Sequence, residues 1–159
     1  MYKLIIPLII VLAAVTRLIP HPPNFTPIIV MGLFGGAYIQ NRLLAVLIPI
    51  CAMFLSDLFL GFHGTIYWVY GSLLLVVILG MLLVNQVNII KCVFGALMSS
   101  FLFFVITNFG VWTLGSYGYT FEGFMLNYTL ALPFFGYSLI STLLFSVLIE
   151  TVYKLKNIF

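Results

Sequence analysis

The sequence predicts an all-α integral membrane protein, built as a bundle of six transmembrane helices. Of its 159 residues, 64% are hydrophobic and only 6% are charged. A water-soluble domain of this size needs a polar surface, which so few charged residues cannot provide. The apolar residues occur in long continuous runs rather than in strict alternation, and this pattern favours membrane-spanning helices over a β-barrel.

Polar residues, prolines and glycines divide the chain into six apolar segments, which we interpret as membrane spans of one domain covering residues 1–159. The predicted spans are residues 4–19, 26–39, 43–60, 66–84, 89–109 and 134–152. The second segment is short for a complete crossing, so we expect it to be tilted, broken or re-entrant. Residues 119–132, just before Pro133, are expected to lie along the membrane interface.

The distribution of basic residues orients these spans. If the N-terminus is cytoplasmic, five of the six basic residues fall on the inner side: Lys3, Arg42, Lys91, Lys154 and Lys156. By the positive-inside rule, both termini are therefore expected in the cytoplasm. We expect a multi-pass protein of the bacterial inner (plasma) membrane. The net charge of +3 is too small to suggest a nucleic-acid partner, and it serves instead as a topology signal.

Asp57 lies near the outer end of the apolar run at residues 43–60. A carboxylate at membrane depth costs about 2.5–3.5 kcal/mol on insertion scales, so it is retained only with a partner, a cavity or a task. Arg17 ends the first span on the same side of the membrane. We therefore expect the two side chains to meet in the outer third of the bundle, either as a structural ion pair or as part of a pocket.

Polar and aromatic residues concentrate at this outer side, in the mixture that is typical of small-molecule pockets. The candidate solute-binding residues are Arg17, His21, Asn24, Asp57, His63, Tyr70, Asn108 and Trp112. For the aromatic members, an interfacial belt is an alternative interpretation.

The sequence contains no recognisable catalytic or metal-binding motif. Two histidines and three acidic residues cannot build a histidine-rich di-metal site, and HExxH, GxSxG and phosphate-cradling motifs are all missing. We therefore predict no metal, no cofactor and no enzymatic activity. Two alternatives stay open: a membrane-embedded enzyme that uses Asp57, and an accessory subunit of a membrane complex. The GxxxG spacing from Gly32 to Gly36 predicts close helix packing.

Several strings spread over most of the chain carry a family resemblance. The most specific are RLIPHPPNFTP at residues 17–27 and TNFGVW at residues 107–112. Shorter matches occur at residues 33–37, 55–57, 60–63, 99–100, 103–104 and 133–135. Together these strings resemble a family of small membrane transporters that is similar to the substrate-binding S-components of energy-coupling-factor transporters. That family includes solitary cobalamin transporters, which work without a recognised ATPase module.

The resemblance implies a six-helix bundle that binds its solute at the extracytoplasmic side. The expected function is uptake of a vitamin-like solute, with cobalamin or another corrinoid as the leading candidate. In some cobalamin-transporting relatives a cysteine thiolate binds the cobalt, but Cys51 lies outside the matching strings, so its role as a ligand is left open.

An energising partner is also left open. S-components usually dock on their transporting module through small residues of the first helix, whereas Ala13 and Ala14 are adjacent here rather than four residues apart. The chain has no Walker motif, so any energy from ATP must come from another protein.

Overall fold

The described part of the chain consists of six α-helices joined by short connections. The computed structural model describes the backbone of residues 2–83 and 89–156, and the side chains of residues 8–83 and 89–151. The helices are α1 (Tyr2–Leu18), α2 (Ile28–Tyr38), α3 (Arg42–Leu60), α4 (Ile66–Leu83), α5 (Ile89–Thr113) and α6 (Phe121–Lys156). The last four are long and apolar enough to cross a membrane, which indicates a helical membrane protein. Because α1 and α2 contain only 17 and 11 residues, the number of crossings stays a prediction.

Most helix boundaries follow from local turn chemistry. The α1 helix ends shortly before Pro20, because a residue that precedes proline disfavours the helical conformation. The α3 helix begins after Asn41, whose side-chain oxygen accepts a hydrogen bond from the Leu44 N–H at 3.2 Å. It ends at Gly61, whose φ of 91° is readily adopted only by glycine. The predicted loop at residues 85–88 lies outside the described residues.

The C-terminal region differs from its prediction. Instead of an interfacial segment followed by a span that starts after Pro133, α6 is one continuous helix of 36 residues, with Pro133 inside it. Such a helix extends about 54 Å, far more than the hydrocarbon thickness of about 30 Å. Proline removes only one backbone donor, and membrane helices tolerate it because neighbouring groups can satisfy the carbonyl that it frees.

The short helix α2 lies at the centre of the bundle. It packs against α3, α4, α5 and α6, and most of its residues are buried. Eleven residues extend only about 16 Å, roughly half of a bilayer core. The helix contains no charged side chain. A short segment of this kind is tolerated at membrane depth because protein, rather than lipid, surrounds it.

The α2 and α4 helices are in close contact through two glycines, and we call this contact the glycine seam. A Cβ atom added at Gly36 would lie 2.0 Å from the Val77 carbonyl oxygen, and one added at Gly80 would lie 2.0 Å from the Leu33 carbonyl oxygen. Real side chains do not approach a backbone this closely, so only glycine permits the contact. The close packing predicted from the GxxxG spacing is thereby confirmed.

The two ends of the bundle have different structures. At one end, the connections at residues 19–27, 61–65 and 114–120 gather around an open cavity, and we call this the cavity end. At the opposite end, the last residue of α2, Tyr38, meets the buried Glu150 of α6. The candidate functional residues from the sequence all belong to the cavity end or to the helix turns that adjoin it.

Candidate functional site

Arg17 and Asp57 form an ion pair between the last turns of α1 and α3. Arg17 Nη1 lies 2.7 Å from Asp57 Oδ1, and the side chains are 16% and 1% exposed, respectively. The same nitrogen donates to the Met53 carbonyl oxygen at 3.2 Å and to the Ser56 hydroxyl. The contact predicted between the two charged residues is confirmed.

A third helix completes the bonding of Asp57. The Tyr70 hydroxyl of α4 donates to Asp57 Oδ2 at 2.8 Å, so both carboxylate oxygens accept a hydrogen bond. The carboxylate thus ties α1, α3 and α4 together at the cavity end. It also holds the guanidinium of Arg17 in place. A carboxylate with two such bonds is well suited to positioning another group.

A cavity of about 420 Å³ opens beside Arg17. Three connections between helices contribute to its lining, through Asn24, His63 and Tyr117. The other walls come mainly from α5 and α6. Its volume lies within the range of about 300–1,000 Å³ that is typical of small-molecule sites.

The side walls of this cavity are largely aromatic. Phe103 and Phe104 of α5 face Phe134 and Phe135 of α6, and the ring centroids of Phe104 and Phe135 are 4.8 Å apart. These rings offer a large apolar surface to whatever enters the cavity. The α5 and α6 helices contact each other here, and the cavity lies between this pair of helices and the residues Arg17 of α1 and Met53 of α3.

Two asparagines add polar groups at the junction of α5 and α6. Asn108 Nδ2 donates to the Phe104 carbonyl oxygen at 2.8 Å, and Asn127 Nδ2 donates to the Asn108 carbonyl oxygen at 2.8 Å. Each amide nitrogen is therefore held by the backbone of α5. Each Oδ1 has no hydrogen bond to the described residues, so both remain available as acceptors for a ligand.

A smaller cavity of about 130 Å³ adjoins the first one. The two share five lining residues: Arg17, Asn24, Met53, Phe103 and Ser138. His21 and Thr26 line only the smaller cavity. Arg17 and Asn24 are therefore accessible from two sides.

The proline-rich connection at residues 19–27 shapes this part of the site. Asn24 has a φ of 63°, a left-handed conformation that asparagine tolerates better than most residues. The turn is closed by the Phe25 N–H, which donates to the Pro22 carbonyl oxygen at 3.0 Å. His21 Nδ1 contacts the same oxygen at 2.7 Å. These local bonds hold the connection beside the cavities without a regular secondary structure.

The predicted site residues fall into three groups. Five line one or both cavities: Arg17, His21, Asn24, His63 and Asn108. Asp57 and Tyr70 lie behind Arg17 and hold it. Trp112 lines neither cavity. Its ring instead packs in an aromatic cluster with Phe109, Tyr119 and Phe124.

The α6 wall was missed by the sequence interpretation. Five of its lining residues recur at intervals of one to four positions: Asn127, Ala131, Phe134, Phe135 and Ser138. They form one face of a helix, so a helical period running through Pro133 would have revealed them. The prediction of an interfacial segment before Pro133 concealed this periodicity.

Neither cysteine lines the cavities. Cys51 and Cys92 are both absent from the lining of the two cavities at the cavity end. Within residues 2–83 and 89–156, no group of three or more His, Cys, Asp and Glu residues could hold a metal ion. The polar groups available to a ligand are therefore an arginine, amides, hydroxyls and imidazoles.

A second buried carboxylate lies at the opposite end of the bundle, and the sequence interpretation did not identify it. Glu150 of α6 is 3% exposed. Its Oε2 accepts a hydrogen bond from the Tyr38 hydroxyl at 2.9 Å, and it lies 3.7 Å from Cys92 Sγ. The contact links α6 to α2 and α5, and it serves there as an anchor between helices.

No curated protein and no solved structure matches the chain significantly. One protein family does match, over nearly all of the sequence. Because residues 2–157 match the family of unknown function DUF6580, the chain belongs to that family.

Proposed function

We propose that the protein is a transporter, or the substrate-binding component of one, that takes up a vitamin-like solute across the bacterial inner membrane. The observation that carries the proposal is the cavity of about 420 Å³ at one end of a bundle of apolar helices. The cavity combines aromatic walls with a few polar groups, a balance that suits an organic solute of moderate size. The resemblance to S-component-like transporters supports the same role.

The proposal includes six crossings, with the cavity end outside the cell and both termini in the cytoplasm. Arg42 begins α3 at the end opposite the cavity, and Lys91 lies in the first turn of α5 at that end. Lys3, Lys154 and Lys156 occupy the first turn of α1 and the last turns of α6, also away from the cavity. The positive-inside rule therefore favours an outward-facing cavity.

Cobalamin or another corrinoid is the first solute to test. A cavity of about 420 Å³ would enclose a vitamin of ordinary size. A corrinoid is larger, so only part of it would enter, and the rest would lie against the connections at residues 19–27 and 61–65. Those connections carry His21 and His63, whose side chains reach the cavities.

The position of Asp57 supports binding rather than acid–base catalysis. Its side chain is 1% exposed, and Arg17 and Tyr70 occupy both of its oxygens. A general acid or base must come within hydrogen-bond reach of the reacting group. Asp57 lines neither cavity. It instead holds Arg17 in place, and Arg17 lines both cavities.

A growth assay tests the proposal. A cobalamin auxotroph that lacks its own uptake system should grow on traces of cobalamin when it expresses this chain. The Ala131→Phe variant, which places a ring in the cavity wall, should grow less well at equal membrane levels. Leu132→Phe is the matched control, because the neighbouring Leu132 is 54% exposed and does not line the cavity.

Three results would contradict parts of the proposal. If expression does not support growth and the purified protein does not bind cobalamin, the corrinoid assignment is wrong. In that case, mass analysis of a copurifying small molecule would identify another solute. If such a molecule is chemically converted by the protein, the membrane-embedded enzyme replaces the transporter. If only a protein partner copurifies, the role of accessory subunit replaces that of transporter.

A further inference from the structure

We propose that Arg17 binds an anionic oxygen group of the solute, a carboxylate or a phosphate, through the part of its guanidinium that Asp57 does not occupy. This inference rests on the proposed function, and it specifies the chemistry of the solute at the same site. It assigns Arg17 to solute binding and Asp57 to positioning Arg17.

The hydrogen bonds of Arg17 leave part of its guanidinium available. All three of its bonds to the described residues use Nη1, which donates to Met53, Ser56 and Asp57. A guanidinium has five N–H groups in a planar fork, so the N–H groups of Nη2 and Nε remain for a ligand. Such a fork matches the two oxygens of a carboxylate or phosphate.

The charges around the cavities favour an anion over a cation. Among the described residues that line either cavity, Arg17 is the only Lys, Arg, Asp or Glu. A cationic solute would therefore meet a like charge and no carboxylate in the lining. Because Asp57 already balances the charge of Arg17, a bound anion would be selected by hydrogen-bond geometry as well as by charge.

The side chain of Ser138 supports the same assignment. Ser138 of α6 is 2% exposed, yet it lines both cavities together with Arg17. Its carbonyl oxygen accepts bonds from Ser141 and Thr142, whereas its hydroxyl has no partner among the described residues. This hydroxyl is therefore available to donate a hydrogen bond to an anionic group of the solute.

The aromatic walls indicate the other part of the solute. Phe104 and Phe135 would cover an apolar or planar body, while the anionic group lies against Arg17. Charge-assisted hydrogen bonds of this kind are about twice as strong as neutral ones. We therefore expect an acid to bind at least about tenfold more tightly than its neutral amide or alcohol.

Matched pairs of small molecules test the inference on the purified, full-length protein in detergent. The probes are biotin and biotin amide, pantothenate and panthenol, and pyridoxal phosphate and pyridoxal. Titration calorimetry should show tighter binding of the anion than of the neutral form in at least one pair. The first two pairs report a preference for carboxylate, and the third reports a preference for phosphate.

Variants separate the binding of the anion from the stability of the fold. Arg17→Gln combined with Asp57→Asn removes both charges together, so no buried charge is left unpaired. This double variant should elute as a folded monodisperse species and bind the acid and the neutral form with similar affinity. Arg42→Gln is the control, since it removes the other arginine, at the opposite end, and should keep the preference.

Each outcome has a definite meaning. Equal binding of acids and neutral forms by the unaltered protein would overturn the anionic subsite and leave the transporter standing. A preference for acids that persists in the folded double variant would overturn the assignment to Arg17. If no probe binds, the inference fails as well, whereas the proposed function is decided separately by growth on cobalamin.

Discussion

The glycine seam and the cavity end are built from equally apolar helices but pack in opposite ways. In the seam, the backbones of α2 and α4 approach so closely that a methyl group at Gly36 or Gly80 would overlap a carbonyl oxygen. Val76 and Val77 beside them are completely buried. At the cavity end, phenylalanines and amides of α5 and α6 line a space of about 420 Å³ that stays open beside Arg17 and Met53 of α1 and α3. The difference shows that side-chain size at facing positions, rather than overall hydrophobicity, decides where a membrane bundle closes.

The physical basis is the weak driving force between helices in lipid. Lipid tails are as apolar as leucine, so helices associate through close packing and hydrogen bonds. The seam uses packing, whereas the cavity end relies on the bonds among Arg17, Asp57 and Tyr70. The first three predictions below each break one of these two supports, and the last tests the cavity lining.

The largest effect is expected from Asp57→Ala, which leaves Arg17 without its counter-charge. Breaking one side of a buried ion pair typically costs about 3–5 kcal/mol of unfolding free energy. Reversible unfolding in mixed detergent micelles would measure the loss. The double variant Arg17→Gln with Asp57→Asn should lose less than either single change to alanine. If the losses are instead additive, the two residues do not support each other.

A loss of about 3 kcal/mol is expected from Gly36→Ala, at the upper end of the range for overpacking, because the added methyl meets backbone that cannot rotate away. Gly71→Ala is the matched control within α4, since an added Cβ there has no atom within 4 Å. It should be neutral or stabilise the helix by up to about 1 kcal/mol. The same unfolding assay compares them. Equal stability of the two variants would mean that the seam is not closely packed.

A smaller loss is expected from Tyr70→Phe, which removes the hydrogen bond to Asp57 Oδ2. Hydrogen bonds to charged groups contribute about 1.5–3 kcal/mol, so the unfolding free energy should fall by about that amount. Tyr67→Phe is the control on the same helix, because Tyr67 is 87% exposed. A Tyr70→Phe protein as stable as the Tyr67→Phe protein would show that Asp57 needs only Arg17.

The smallest change in stability is expected from Ser138→Ala, within about 0.5 kcal/mol, because the lost hydroxyl has no partner among the described residues. If the hydroxyl contacts the solute, the affinity for an anionic probe should nevertheless fall severalfold. Thr142→Val is the contrasting variant, since the Thr142 hydroxyl donates to the Ser138 carbonyl oxygen at 2.7 Å and lies outside the cavity lining. It should affect stability more than affinity. The reverse order would argue against a ligand at Ser138.

Sequence reasoning worked best where a residue was costly in lipid. Asp57 is such a residue, and the need for a partner on the same side of the membrane pointed to Arg17. Sequence reasoning failed at α6, because it treated Pro133 as the boundary between two segments. A helix in a membrane keeps its remaining hydrogen bonds around a proline, so it passes through Pro133 and carries Asn127 and Ser138 on one cavity wall. The exposed loops near His21 and His63 were placed correctly, since polar connections must leave the apolar layer.

The sequence by itself determined the helical membrane class, the orientation signal and the need for an ion pair, because these depend on the cost of placing polar groups in lipid. Only the tertiary structure decided which surfaces face each other. The hydroxyl of Tyr38 meets Glu150 across 112 positions in the chain, and no local pattern encodes that contact. The cavity, likewise, arises from the distance between the α5–α6 pair and the helices α1 and α3. That distance is set by the packing of α3, α4, α5 and α6 against α2, which a linear pattern of apolar residues does not specify.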